Sequence, residues 1–278
     1  MDIMIPLNEK AYDVMGMHIQ SMVNKLKLKQ PEDFSFIKIR PCDEEFADMV
    51  FRYKNQVYAI LMDINYNEKH VYLSDDRKRD FIKIAKQNNL IPCLFNIKID
   101  LQPEETEHGY GVKVSEFEMP DIKYSLQNSD AWNLTNAETN KPVNPLDMAS
   151  DESIVMSDYE LYNFAVLVAS QLLEQQGLII KSISDMPEYY PQMILKNHEG
   201  REFWCIIAYS TKYDTDEMEL YKEMFKDYVL KATNNNNSFA DFMGMHDGIL
   251  FSLFVKNTSR TDVEHNYKYN VTMLSATK

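Results

Sequence analysis

The chain has 278 residues, 45% apolar and 12% aromatic, enough for two domains of ordinary size to bury a core, and this excludes global disorder. Its 43 acidic residues outnumber 29 basic ones, and a net charge of −14 disfavours a phosphate backbone as partner without excluding it. Three scattered cysteines, Cys42, Cys93 and Cys205, give no CxxC pair and no disulfide framework, which fits a reducing compartment. The start MDIMIPLNEK lacks a signal-peptide pattern and no apolar run approaches the ~20 residues that span a bilayer, so a cytoplasmic protein without membrane attachment is expected.

Residues 8–28 predict an amphipathic helix, with Ala11, Val14, Met15, His18, Ile19, Met22, Val23 and Leu26 at helical spacing and Pro31 beyond its end. FSFIKI (34–39), ADMVFRY (47–53) and VYAILMDI (57–64) read as three strands, the last two joined by a tight turn at Lys54-Asn55-Gln56. Ser74, followed by Asp75 and Asp76, opens a second helix to about Asn89, and LIPCLFNIKI (90–99) is a further strand.

The order α-β-β-β-α-β then recurs. Ser157 and Glu160 make a capping-box pattern, and Leu161, Phe164, Ala165, Val168 and Leu172 form a helical stripe ended by Gly177. LIIKSI (178–183), QMILKN (192–197) and EFWCIIAY (202–209) are three strands. A helix over 214–229 and the strand ILFSLFVKN (249–257) follow. Five short matches fall in the same order: Ala11-Tyr12-Asp13 with Leu161-Tyr162-Asn163, Ile37-Lys38 with Ile180-Lys181, FADMVF (46–51) with YPQMIL (190–195), VYAI (57–60) with FWCI (203–206), and Glu107-His108-Gly109-Tyr110 with Glu264-His265-Asn266-Tyr267. The fold class is therefore α/β with a mixed sheet, as two tandem repeats related by internal duplication: 1–119, a turn-rich linker over 120–156 that packs through Trp132 and Leu134, and 157–278. The two halves are expected to pack as an intramolecular pseudo-dimer that covers apolar strand edges.

This element order, with DMVFRYKNQVYAILMDI (48–64) as the middle strands and RKRDFIKIAKQNNLIPCLFNI (77–97) as the next helix and strand, resembles the PD-(D/E)XK nuclease-like fold. The likeness covers about 8–100 and, more weakly, 157–257. It implies two carboxylates that hold a hard divalent cation by oxygen, and a lysine that orients the attacking water. Carried over, the first aspartate is Asp48, preceded by Ala47 rather than proline. The second acid falls on Leu61 and the lysine on Asp63. In the second half the proline is Pro191, but the aspartate is Gln192 and the other positions fall near Ile206 and Ala208. Neither half keeps the set.

The expected function is thus a non-enzymatic binding or scaffold protein built from two degenerate nuclease-like domains, with a protein partner and no cofactor. One alternative is a nuclease using Mg²⁺ or Mn²⁺ at an unorthodox acidic site of Asp48 and Asp63, with Glu44 or Glu45 nearby. A second is a secretion-chaperone-like interaction module, whose sheet would be wholly antiparallel. Glu107, His108, Glu264 and His265 are further candidate metal ligands, since carboxylate and imidazole suit Zn²⁺ or Mn²⁺. His18 on an apolar helix face reads as a core histidine. Arg77-Lys78-Arg79 reads as a solvated helix face. No nucleophile elbow, Walker loop or dinucleotide fingerprint is present.

Overall fold

The structure, a computed structural model, describes residues 2–30, 33–37, 46–67, 69–70, 73–100, 104–106, 109–115, 123–150, 155–187, 191–210, 247–255 and 267–274. These form a mixed α/β protein with mixed sheets, in two compact units; apart from 37–45, the first ends at residue 152.

In the first unit β1 (Asp2–Pro6) runs into α1 (Leu7–Lys25). Ala11, Met15, Ile19, Met22 and Val23 are buried as their spacing requires. The helix stops short of residue 28 because Lys27 turns left-handed (φ 54°) and Leu28 N–H closes onto Val23 O, a Schellman end. The expected meander follows as β2 (Phe34–Phe36), β3 (Met49–Tyr53) and β4 (Gln56–Tyr66), with Lys54-Asn55 as the turn between the last two. β5 (Lys69–His70) folds back onto the end of β4. The next helix, α2 (Asp75–Gln87), is capped by Ser74, and β6 (Ile91–Ile99) returns parallel to β4. That parallel return is what a helical crossover permits. β7 (Glu104–Thr106) and β8 (Gly109–Ser115) make a small antiparallel sheet with β1.

The stretch read as a linker contributes strands to the larger sheet of β2, β3, β4 and β6. β9 (Tyr124–Leu126) and β10 (Leu134–Asn136) pair with β6, β11 (Pro142–Val143) pairs with β10, and the short α3 (Pro145–Met148) follows. Strands of two or three residues are too short to show periodicity among Asn and Pro, so composition alone reads them as loop. Trp132 is 1% exposed and stacks on Phe51 (5.7 Å) and Phe34 (6.3 Å). Asn133 Nδ2 donates to Asn96 O (2.8 Å), and Asn55 holds both the N–H and the hydroxyl of Ser150 (3.0 and 2.7 Å). One face of the sheet, with Met49, Phe51, Ile60, Met62, Cys93 and Phe95, packs against α1 and Trp132. The other meets α2, where Phe81 stacks on Phe46.

In the second unit α4 (Asp158–Gln175) opens with the expected capping box at Ser157 and Glu160. It ends as α1 does: Gly177 is left-handed (φ 85°) and Leu178 N–H bonds Leu173 O. β12 (Ile179–Ile183), β13 (Met193–Lys196), β14 (Glu202–Ser210), β15 (Asp247–Val255) and β16 (Tyr267–Leu274) lie side by side in that order. Only β14 and β15 run parallel. The helix expected over 214–229 lies outside the described residues. The path β2-β3-β4-β6-β10 in the first unit has the same order and polarity. Neither sheet is wholly antiparallel. Met49 pairs with Ile60 and Met193 with Cys205, so Ile60 stands where Cys205 does. The match of VYAI (57–60) with FWCI (203–206) therefore moves by one residue, which for a strand exchanges the two faces. Among the described residues no helix is long and apolar enough to cross a membrane.

Two predictions follow from the packing of 123–150 on α1. Trp132→Ala should destabilise the first unit by about 3–5 kcal/mol in urea unfolding, the cost of emptying a core aromatic site; a loop residue would cost under about 1. His18 Nε2–H donates to Ala131 O (2.7 Å), and burial lowers the His18 pKa below 6.5, partly opposed by that bond. The folded ring therefore favours the neutral form. Its contribution is complete above ~6.5 and is lost as pH falls through the lowered folded value. Urea midpoints from neutral pH down to about 5 should fall less steeply in His18→Gln, which keeps an N–H donor but does not titrate.

Candidate functional site

β4 has eleven residues and β3 five, so β4 runs on where β3 has not begun. At this fork Asp48 N–H still bonds Ile60 O (2.8 Å), but the N–H of Met62 meets no β3 carbonyl. Asp48 Oδ2 accepts it instead, at 2.6 Å. Oδ1 accepts from Arg77 Nη2 at 3.0 Å. Asp48 is 2% exposed and Arg77 comes from the first turns of α2, one turn before the buried Phe81. A carboxylate hidden from water needs such donors, and the guanidinium supplies the compensating charge.

The second unit has the same fork. β14 overruns β13, and Gln192 precedes Met193 as Asp48 precedes Met49. Gln192 Oε1 accepts from Ile207 N–H (3.1 Å), while its Nε2 donates to Pro187 O (3.0 Å). By register Ile207 stands where Met62 does. A neutral carboxamide thus takes the place of the carboxylate, and its own N–H₂ finds a carbonyl in place of a cation.

Arg77 of α2 reaches Asp48, and Asp63 alternates with Met62, which packs on the α1 side, so both aspartates lie on the face that α2 covers. Each of the two aspartates has its own partner within the protein. Asp63, buried like Asp48, bonds His70 Nδ1 at 2.7 Å. His70 reaches it because the β4–β5 hairpin pairs it with Asn65, two residues on along the same face. A carboxylate only accepts, so Nδ1–H is the donor, and the His70 side chain is 62% exposed. Asn96, opposite Asp63 on β6, donates to Thr135 Oγ1.

This donor set does not fit a hard divalent cation. Leu61 and Ile206 offer no oxygen ligand, Gln192 is neutral, and both Asp48 oxygens accept hydrogen bonds. Among the described residues no three His, Cys, Asp or Glu side chains gather as a metal site. Glu107, His108, Glu264, His265, Glu44, Glu45 and Cys42 lie outside the described residues. Burial raises the Cys93 thiol far above its usual range and pushes Cys205 up to about 12, so both stay protonated and unreactive. Arg77 was legible as a helix residue but not as the partner of Asp48; its i, i+4 relation to Phe81 was the available signal. His70 gave none, because its role depends on the hairpin turn at Asn67 (φ 46°).

Compared with known proteins, the chain matches no family model, no curated protein and no solved structure.

If the fork bond is the main role of Asp48, Asp48→Ala should cost more than Asp48→Asn. The alanine leaves a buried N–H without an acceptor, about 1–3 kcal/mol, plus a smaller term for the partly exposed Arg77. The asparagine keeps the acceptor, as Gln192 does, and should cost about 1 kcal/mol. Equal losses in urea midpoint would instead assign the stability to the Arg77 pair.

Proposed function

We propose that this chain is a non-catalytic binding or scaffold protein built from two duplicated nuclease-like domains, with other proteins as its partners. The observation that carries the reading is the use made of the fork. At the position where the resemblance calls for a metal-binding aspartate, both Asp48 oxygens bond the protein itself, and the second unit has Gln192 doing the same backbone task. A guanidinium fixed against the carboxylate opposes a divalent cation by charge and by position. Support for the nuclease-like comparison comes from the mixed sheets, in which the third strand of the meander is parallel to the strand that returns. A secretion-chaperone-like module calls for antiparallel neighbours there. Support for duplication comes from the shared strand order, the matching Schellman ends at Lys27 and Gly177, and the matching fork bonds.

The test is calorimetric titration of the full chain with Mg²⁺ and with Mn²⁺. The expected result is no near-stoichiometric binding at millimolar metal, in the wild type and in Asp48→Asn alike. Stoichiometric binding that disappears in Asp48→Asn, together with metal-dependent cleavage of a phosphodiester substrate, would overturn the reading in favour of an active nuclease.

A further inference from the structure

The edge strands of the two larger sheets differ in how they resist the addition of another strand. β2 has three residues, and β11 has two, including Pro142. β12 breaks register between Ile180 and Ser182 and exposes Lys181. Short length, proline, a bulge and an outward lysine are the usual protections of an edge. β16 has eight residues in unbroken register with β15, no proline, no acid, and one charge at Lys268. Among the described residues no strand pairs with its outer edge, whereas β10, which stands at the same place in the first unit, has that edge covered by β11.

Alternate residues of β16 face α4. Tyr267 meets the Phe164 ring at 5.5 Å, and Val271 packs against the core. Tyr269 and Met273 are on this face too, yet they are 49% and 60% exposed, with Tyr269 stacked over Phe251 at 6.1 Å. They lie two residues to either side of Val271.

We propose that β16 pairs antiparallel with β16 of a second copy of this chain, about a two-fold axis through Val271. An axis perpendicular to the sheet keeps each face on its own side, so Val271 meets its symmetry mate. Tyr269 of each copy then lies opposite Met273 of the other. The two exposed apolar side chains cover one another as ring against thioether, and the ladder of the sheet continues from one copy into the next. Charge permits the approach: the chain carries −14, but this strand carries no acid, and the two Lys268 ammonium groups are six residues apart along the pairing, about 20 Å. A second copy is favoured over a foreign strand because the complement to Tyr269 is already present at Met273, in the register that symmetry demands. The inference does not depend on the nuclease-like reading.

The experiment is light scattering during gel filtration of the full chain, with sedimentation velocity across concentration. The wild type should have twice the chain mass of 32.6 kDa. Combining Tyr269→Glu with Met273→Glu sets like charges opposite each other and should give the single-chain mass. Combining Tyr269→Glu with Met273→Lys sets opposite charges face to face and should restore the dimer. A wild type of single-chain mass, or a dimer that survives the two glutamates, would overturn the proposal. If the two-glutamate variant does not fold, amide exchange on the wild type decides: protection of β16 that rises with concentration supports the pairing, and protection independent of it rejects it.

Discussion

A backbone N–H that a strand fork leaves inside the protein must find an acceptor, and the arrangement of both units follows from how Met62 and Ile207 do so. Each is a buried residue on the longest strand of its meander, just beyond the last regular pair. An unmet donor there costs more than an ordinary hydrogen bond contributes, because desolvation is not offset. The residue before the shorter strand meets the need with its side chain, and only an oxygen on a short polar chain can do so. That bond closes the ladder beyond the last regular pair of each hairpin. Alternation assigns Met49, Ile60 and Met62 to the α1 face and Leu61 and Asp63 to the α2 face, where Arg77 also holds Asp48.

The two units meet this requirement with different electrostatics. Asp48 brings a charge that the interior does not tolerate alone, so the first unit also needs Arg77 at a fixed place on α2. Gln192 brings no charge and needs only the Pro187 carbonyl. The same reasoning explains Asp63. It stands where the second unit has Ala208, and its buried carboxylate is matched by a hairpin that delivers His70. The polar groups on the α2 face thus form local pairs, each answering a cost of burial. Of the two carboxylates that the resemblance singles out, Asp48 bonds Arg77 and Asp63 bonds His70.

The sequence made legible what depends on period and on end signals. The α1 and α4 stripes, the Ser74 and Ser157 caps, the Gly177 end and the near-continuous apolar β4 all come from spacings within one element. It named Asp48 and Asp63 as a candidate acidic pair, but not the Arg77 and His70 partners that each of them has. It did not make legible anything carried by very short strands or by contacts between distant residues. β9, β10 and β11 have two or three residues each, and β9 and β10 depend on β6 as β11 does on β10, so the polar composition around them conceals them. Trp132 was recognised as an anchor because one large indole in a polar stretch has few places to go. Lys27 illustrates a different limit: the left-handed position at a helix end favours glycine, and a lysine there hides an ending that Gly177 announces.

Because the shared scaffold is explained by the fork, the hairpins and the helix ends, the functional difference between the units has to lie in what they do not share. The first unit adds β5 with His70 on one side of the sheet, and on the other the 123–150 segment, which closes its outer edge with β11. The second adds none of these among the described residues and instead extends β16 to eight residues with apolar side chains left exposed. In the first unit the chain covers the outer edge of β10 with its own short strand β11. An edge of eight residues left unpaired among the described residues carries the hazard of indiscriminate pairing, and a symmetric partner removes that hazard by using the edge itself.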